Sequence, residues 1–179
     1  MSRYGDDYGD GERFPNEYAL WEANAERALK GKRGRQALAD LREALAALPE
    51  PKLIEGALCT VNPAARLEHL REGWIRHDLE TRIEEQGAGV CAIGALLWHR
   101  KVKAGMDPAE AFGSLPTLPD SDFDLDDTAR LAVRDAGLAY SLAWNLAYRN
   151  DETFEGLTPE ERHTAFLAWI DRELAEVAA

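Results

Sequence analysis

The stretch GAGVCAIGALL at residues 87–97 decides the fold, because it leads from an extended segment directly into a helix. Its glycines and alanines are small enough for a neighbouring backbone to approach closely. Upstream, the stretch LIEGALC at residues 53–59 has a similar character. The two stretches predict two short strands that pair as a small β-hairpin, formed around residues 53–61 and 87–91.

Most of the remaining sequence has the periodicity of amphipathic helices. Four leucines step by three, four and three residues, which places them on one face of a helix over residues 35–48. A helix over residues 15–30 precedes it, and the short connection predicts an antiparallel helical hairpin. We therefore predict a mainly α (α+β) fold, a single-domain helical assembly with one small β-hairpin. The four leucines are Leu38, Leu41, Leu45 and Leu48.

Capping signals predict where further helices begin and end. Asp107-Pro108 is typical of an N-cap and first turn, and Gly137 is typical of a residue just past a helix end. The sequence TPEE at residues 158–161 combines a capping box with proline at the first helical position. It predicts a final helix whose inner face holds Phe166, Ile170, Leu174 and Val177.

Two segments depart from this helical pattern. Residues 1–13 hold few aliphatic residues and many Gly, Asp and Tyr, so we expect a flexible acidic arm. Residues 62–86 are highly charged and are interrupted by Gly73, so we expect an exposed, partly helical insertion at the tip of the hairpin. Residues 14–179, with this insertion included, are predicted to form one mostly helical domain.

The composition limits the possible functional classes. The chain has 33 acidic and 21 basic residues and a formal net charge of −12, which repels phosphate-bearing surfaces. No apolar run approaches the roughly 20 residues that span a bilayer, and the N-terminus lacks the apolar stretch of a secretory signal. We expect a cytoplasmic chain without membrane contact or direct nucleic-acid binding. Its oligomeric state is left open.

The two cysteines, Cys59 and Cys91, are too few for a disulfide scaffold. A zinc site would need two more ligands, and the histidines follow no metal-ligand spacing. Nucleophilic catalysis would need a neighbouring base, and no Cys-His signature is present. We expect both thiols to be reduced and buried, with neither metal nor cofactor; metal binding and redox or catalytic roles are the less favoured alternatives. The histidines are His69, His77, His99 and His163.

The acidic run DSDFDLDD at residues 120–127 has carboxylates at alternate positions, as in a calcium-binding loop. Leu125 and Leu131, however, occupy the positions where such a loop requires glycine and glutamate. We therefore reject a calcium site and interpret the run as an acidic loop that precedes a helix.

The densest basic cluster lies between the first two helices, at residues 30–35. Backbone N–H groups at a helix N-terminus favour anions, so this basic turn is a candidate site for phosphate-bearing ligands. The spacing is not that of a phosphate-binding P-loop. The alternative is a solvated turn whose charges pair with Glu26 and Asp40. The basic residues are Lys30, Lys32, Arg33 and Arg35.

Five tryptophans are many for a chain of this length. Four of them fall on the apolar faces of predicted helices and are expected in the core. Trp74, by contrast, lies beside Ile75 in the charged insertion and is a candidate anchor for a partner protein. The four predicted core tryptophans are Trp21, Trp98, Trp144 and Trp169.

The sequence GVCAIGAL at residues 89–96 and the later pair Asn150-Asp151 resemble small uncharacterised proteins of bacteria, notably actinobacteria, and of their phages. These proteins carry a Cys-Ala-apolar-Gly-Ala helix start after a hairpin, and an Asn-Asp pair ahead of a final helix. The resemblance covers residues 53–61 and 87–170 and departs at the charged insertion. It implies a fold and a phage or prophage setting. The family has no assigned activity, so it implies no catalytic residues.

The sequence contains no catalytic constellation. We therefore interpret the chain as a non-enzymatic cytoplasmic accessory protein, of phage or prophage origin, that binds a protein partner. One alternative is an acidic DNA mimic that inhibits a host nucleic-acid-binding protein; the alternation of acids and bases along the helices makes it less favoured. Another is a small enzyme or phosphate-ligand binder that uses the basic turn. The predicted partner-binding residues are Tyr4, Tyr8, Trp74 and Ile75.

Overall fold

Seven α-helices and one two-stranded sheet form the part of the chain that the structure describes, which confirms a mainly helical single domain. The computed structural model describes residues 15–55, 59–60, 89–115 and 125–176. A π-helical turn, Arg149–Thr153, follows the sixth helix. The elements are α1 (Pro15–Lys30), α2 (Lys32–Ala46), β1 (Cys59–Thr60), β2 (Gly89–Val90), α3 (Ala92–Lys103), α4 (Pro108–Gly113), α5 (Leu125–Ala136), α6 (Tyr140–Tyr148) and α7 (Pro159–Glu176).

The predicted turn at residues 30–35 is wrong, because only Gly31 separates α1 from α2. Gly31 is extended, with φ −71° and ψ 157°, and serves as the N-cap of α2. The helix therefore starts three residues earlier than predicted. Gly34 lies so close to α1 that a Cβ atom there would come within 1.8 Å of the Ala28 carbonyl oxygen. The missing side chain at Gly34 lets the two helix backbones meet.

The leucine stripe of α2 faces the core, as predicted. Leu38, Leu41 and Leu45 are fully buried, and Leu48 is partly buried against the same cluster. The helix contacts α1, α3 and α7, so the stripe lies where several helices meet.

The prediction of a continuous strand over residues 53–61 is wrong. Residues 51–54 have no regular secondary structure, and the described strand is limited to β1. The pairing itself is confirmed, because β1 is antiparallel to β2, with Cys59 opposite Val90 and Thr60 opposite Gly89.

The carbonyl oxygens of residues 53–54 accept hydrogen bonds from side chains rather than from a neighbouring strand. The Leu53 oxygen accepts a hydrogen bond from Nη1 of Arg162 at 3.1 Å. The Ile54 oxygen accepts one from Nδ2 of Asn150 at 2.8 Å. The Ile54 N–H still donates to the Val90 oxygen of β2 at 3.1 Å, so the segment stays beside the sheet while side chains satisfy its buried carbonyl groups.

The small residues of α3 form the centre of the core. Every residue from Ala92 to Trp98 is buried. Cys91 caps the helix, and its Sγ accepts a hydrogen bond from the Gly94 N–H at 3.5 Å. Its thiol is buried and forms no disulfide with a described residue, as predicted; the side chain of Cys59 lies outside the described residues. Burial is also confirmed for Trp98 and Trp169; Trp144 is partly buried, and the Trp21 side chain is not described.

The predicted caps are confirmed. Oδ1 of Asp107 accepts hydrogen bonds from the first turn of α4, at 2.9 and 3.2 Å. Gly137 follows α5 with a positive φ of 62°. The Thr158 Oγ1 and the Glu161 carboxylate accept from each other's backbone N–H groups, at 3.2 and 2.9 Å. On the inner face of α7, Phe166 and Ile170 are buried and Leu174 partly so; Val177 lies outside the described residues.

The arm at residues 1–13 and the insertion at residues 62–86 both lie outside the described residues. Among the helices that the structure does describe, none is both long enough and apolar enough to cross a bilayer.

Candidate functional site

The residues predicted to bind a protein partner fall outside the described residues. They are Tyr4 and Tyr8 in the arm and Trp74 and Ile75 in the insertion. Their role stays a prediction.

The basic cluster at residues 30–35 is exposed on the junction of α1 and α2. Lys30 lies 3.6 Å from Glu26, one turn earlier on α1. Asp40 does not pair with this cluster, because it accepts hydrogen bonds from Gln36 at 2.9 Å and from Arg100 at 3.2 Å. Lys32, Arg33 and Arg35 line neither of the two clefts described below, and anion binding there stays a prediction.

The two described histidines lie between helices. Nε2 of His163 lies 3.0 Å from the Leu45 oxygen, which ties α7 to α2. Nε2 of His99 lies 3.7 Å from the carboxylate of Glu43, between α3 and α2. No group of three His, Cys, Asp or Glu side chains that could hold a metal occurs within the described ranges.

A cleft of about 420 Å³ lies between α1, α6, the π-helical turn and α7. Its apolar wall comes from Ala25 and Leu29 of α1, and Tyr148 of α6 closes one side. The Tyr148 ring stacks on Trp144, with ring centroids 5.2 Å apart. The charged and amide side chains that line the cleft are Glu26, Lys30, Asn145, Arg149, Glu173 and Glu176.

Arg149 supplies the most distinctive charge of the cleft. Its guanidinium carbon lies 4.3 Å from the ring centroid of Trp169, within cation–π range. Trp169 is only 2% exposed, and its indole N–H donates to Glu173 Oε1 at 2.8 Å, which fixes the ring. Burial lowers the pKa of Arg149, while the nearby Glu173 opposes this effect. An arginine nevertheless stays protonated in proteins, so the group remains a cation.

Arg149 and Asn145 each present a buried polar atom that lacks a hydrogen-bond partner among the described residues. These atoms are Nε of Arg149, a donor, and Oδ1 of Asn145, an acceptor. The Arg149 backbone N–H bonds to the Asn145 oxygen, so the two residues are one helical turn apart and line the same wall. Buried polar atoms normally find partners, but these two have almost no exposed surface and therefore lie within the wall of the cleft rather than on its face.

Acidic side chains surround this pair. Glu26 is exposed and is paired with Lys30, and Glu173 accepts the Trp169 N–H. Glu176 is exposed at the end of α7 and has no ion pair with a described residue. The cleft therefore has a cation against its aromatic wall and carboxylates around it.

A second cleft, of about 550 Å³, lies beside α3 and α5; two of its three basic side chains have acidic partners, and the third is Lys101. Arg100 donates to the Ala136 oxygen and to Asp40. Arg134 makes two hydrogen bonds to Asp135, at 2.6 and 2.8 Å. This cleft consequently offers less to a charged ligand than the one at Arg149.

Sequence reasoning missed both Asn145 and Arg149. The available signal was a polar pair at i and i+4 within SLAWNLAYR, an otherwise mostly apolar helical stretch at residues 141–149. A polar pair of this kind has no packing role to explain it. Its position beside Trp169 depends on the packing of α6 and α7, which the local sequence does not show.

Comparisons with protein-family models, with curated proteins and with solved structures each found no match to this chain.

Proposed function

We propose that this chain is a non-enzymatic accessory protein that binds a protein partner through an acidic group received beside Arg149. The single observation that supports this proposal is the half-buried guanidinium of Arg149, which stacks on Trp169 and lies near the charge of Glu173 but forms no ion pair with a described residue. Burying a charge is costly unless it is paired, and a carboxylate would supply two parallel, charge-assisted hydrogen bonds. Binding of a carboxylate would therefore give the Arg149 guanidinium an ion-pair partner.

The dimensions and the lining of the cleft favour binding over catalysis. Its volume of about 420 Å³ is in the range of pockets that hold small ligands or peptide ends. Its described lining holds no cysteine, serine or histidine, and its hydroxyl groups are those of Tyr148 and Thr153. The cytoplasmic location and the phage or prophage setting are further parts of the proposal and derive from the sequence.

The alternatives have weaker support. A DNA mimic needs carboxylates that are free to replace phosphates, but several acids are engaged: Glu43 with Lys103, and Asp171 with Arg42. A phosphate binder that uses the basic turn would depend mainly on Lys32, Arg33 and Arg35, which are exposed at the start of α2 and line neither cleft. Both alternatives are therefore less favoured than a binding protein with a buried arginine.

The test is a titration of the full chain with capped peptides that contain one carboxylate each, followed by NMR on the Trp169 indole N–H. We expect saturable shifts of this resonance, and about tenfold or more weaker binding in Arg149→Gln, because a charge-assisted pair is lost. Arg42→Gln, an exposed arginine on α2, is the matched control and should bind normally. Equal affinity in the two variants, or no shift with any carboxylate peptide, would refute the proposal.

A further inference from the structure

We infer that the partner presents its acidic residue in an extended segment, with a lysine or arginine two positions away that pairs with Glu176. This inference rests on the proposed function, because it assumes that a carboxylate of the partner binds at Arg149. It adds the chemical class of the partner segment, which is a dipolar peptide whose two charges match those of the cleft in sign and in spacing.

The charges that line the cleft do not cancel. Lys30 and Glu26 form a pair at 3.6 Å on α1, so their charges offset each other. Glu173 attracts the Arg149 guanidinium. Glu176 is exposed, and no described residue forms an ion pair with it. The two cations and three carboxylates of the lining therefore leave it with a net negative charge. A bound carboxylate would add to that charge unless the partner also brought a cation.

The helix α7 sets the distance between the two ends of the cleft. Trp169, Glu173 and Glu176 are three to four residues apart, so they lie along one side of this helix. The Arg149 guanidinium lies 4.3 Å from the Trp169 ring centroid, at one end of this row, and Glu176 lies at the other end. From Trp169 to Glu176 the helix rises about 10 Å. A partner that contacts both ends must therefore carry separated charges.

An extended segment matches this spacing when its charges are at positions i and i+2. Side chains two residues apart in an extended chain point to the same side, and their backbone positions are about 6–7 Å apart. The long side chain of lysine or arginine adds reach to that distance. A directly neighbouring side chain would point away from the cleft. A helix is about 10–12 Å wide with its side chains, which suits a cleft of about 420 Å³ less well.

The experiment compares capped octapeptides that contain one glutamate and one lysine among glycine, alanine and serine. The lysine lies two positions after the glutamate in the first peptide, two positions before it in the second and six positions away in the third. A fourth peptide has glutamine in place of the lysine. NMR on the Trp169 indole N–H of the full chain follows binding at one ionic strength. We expect one of the two i, i+2 peptides to bind about two- to fivefold more tightly than the third and fourth, because an exposed ion pair contributes modestly.

A Glu176→Gln variant removes the proposed partner of the lysine. In this variant the advantage of the i, i+2 peptide over the peptide with the distant lysine should disappear. Glu160→Gln is the matched control and should keep the advantage, because it removes an exposed carboxylate of α7 that does not line the cleft. The comparison is a double-mutant cycle, which separates the contact at Glu176 from the general attraction of lysine to a chain of net charge −12.

The outcomes separate the two proposals. If the distant lysine serves as well as a lysine two positions away, the dipolar inference is overturned while carboxylate binding at Arg149 stands. The same inference is overturned if the advantage of the i, i+2 peptide is equal in Glu176→Gln and in the unaltered chain. If no glutamate peptide shifts the Trp169 resonance, the proposed function itself fails.

Discussion

At the scale of single residues, Gly34 determines how closely α1 and α2 can meet. The sequence showed a glycine among basic residues, which was interpreted as part of a turn. In the structure it lies inside α2, and its missing side chain makes room for the Ala28 carbonyl oxygen. Local sequence could not reveal this, because a helical glycine is explained only by the neighbour that it contacts.

We predict that Gly34→Ala destabilises the fold by about 1–3 kcal/mol or more, because the new Cβ would collide with backbone atoms that cannot rotate away. Gly113→Ala in α4 is the matched control, since a Cβ there meets no described atom within 4 Å. It should be neutral or should stabilise by about 0.4–1 kcal/mol. Urea denaturation measures both variants, and an equally small effect at the two sites would contradict the packing.

Asn150 joins three segments that are distant in sequence. Its Nδ2 donates to the Ile54 oxygen at 2.8 Å and to Asp151 at 2.6 Å, and its Oδ1 accepts from the Ala92 N–H at 3.1 Å. The sequence singled out the Asn150-Asp151 pair only by resemblance. The hydrogen bonds give the pair a structural role, because they hold the segment around Ile54 against the start of α3.

We predict that Asn150→Leu destabilises the fold by about 2–5 kcal/mol, because two buried backbone groups, at Ile54 and Ala92, lose their partners. Asn24→Leu, at an exposed position on α1, should change the free energy of unfolding by less than about 0.5 kcal/mol. Thermal or urea unfolding of the two variants makes the comparison. A small effect at Asn150 would mean that water replaces the lost hydrogen bonds.

At the scale of secondary-structure elements, the sequence predicts best the helix ends that are set by residues close together in the chain. The capping box at α7 and the aspartate cap of α4 require residues only a few positions apart, and both are confirmed. The strand over residues 53–61 was wrong for the opposite reason. Its carbonyl groups bond to Arg162 and Asn150, about a hundred residues further along the chain, and no local pattern indicates such partners.

We predict that Thr158→Ala costs about 1 kcal/mol, because the first turn of α7 loses its side-chain acceptor. Thr164→Ala is the control; this threonine bonds only to a carbonyl oxygen within the same helix, and its loss should matter less. Chemical denaturation gives the free energy of unfolding of both variants. Thr164→Ala should be the more stable of the two by several tenths of a kcal/mol.

The same capping box makes stability depend on pH. Hydrogen bonds from Thr158 lower the pKa of Glu161 in the folded chain. A carboxylate with a lowered folded pKa contributes stability above its unfolded pKa, near 4.3, and that contribution disappears as the pH falls through the folded pKa. We predict that Glu161→Gln reduces the loss of stability on acidification. Denaturation at a series of pH values below about 5 tests this, with Glu160→Gln as the control.

We predict that Leu41→Ala destabilises the fold by about 2–5 kcal/mol, since the side chain is 0% exposed and its loss leaves a cavity in the core. Leu48→Ala, at the partly buried end of the same stripe, should cost clearly less. Urea denaturation at one temperature compares them. A cost below about 0.5 kcal/mol at Leu41 would contradict its place in the core.

At the scale of the whole molecule, the cleft is assembled from parts that are far apart in the chain. It takes Lys30 from α1, Asn145 from α6, Arg149 from the π-helical turn that follows, and Glu173 from α7. Each part looks ordinary by itself, since an exposed lysine and a helical asparagine are common. The unpaired Arg149 becomes visible only when the helices are packed, which is why the sequence directed attention to the arm, the insertion and the basic turn.

Net charge is a property of the whole molecule, and it opposes nucleic-acid binding at the basic turn. Lys30 is already paired with Glu26, which leaves Lys32, Arg33 and Arg35 to act against a net charge of −12. We predict no measurable binding to duplex DNA at physiological salt, about 0.15 M, because three exposed cations cannot outweigh that repulsion. A mobility-shift titration is the measurement. Micromolar binding that falls steeply with salt and disappears in a Lys32→Ala/Arg33→Ala variant would show that the local cluster dominates.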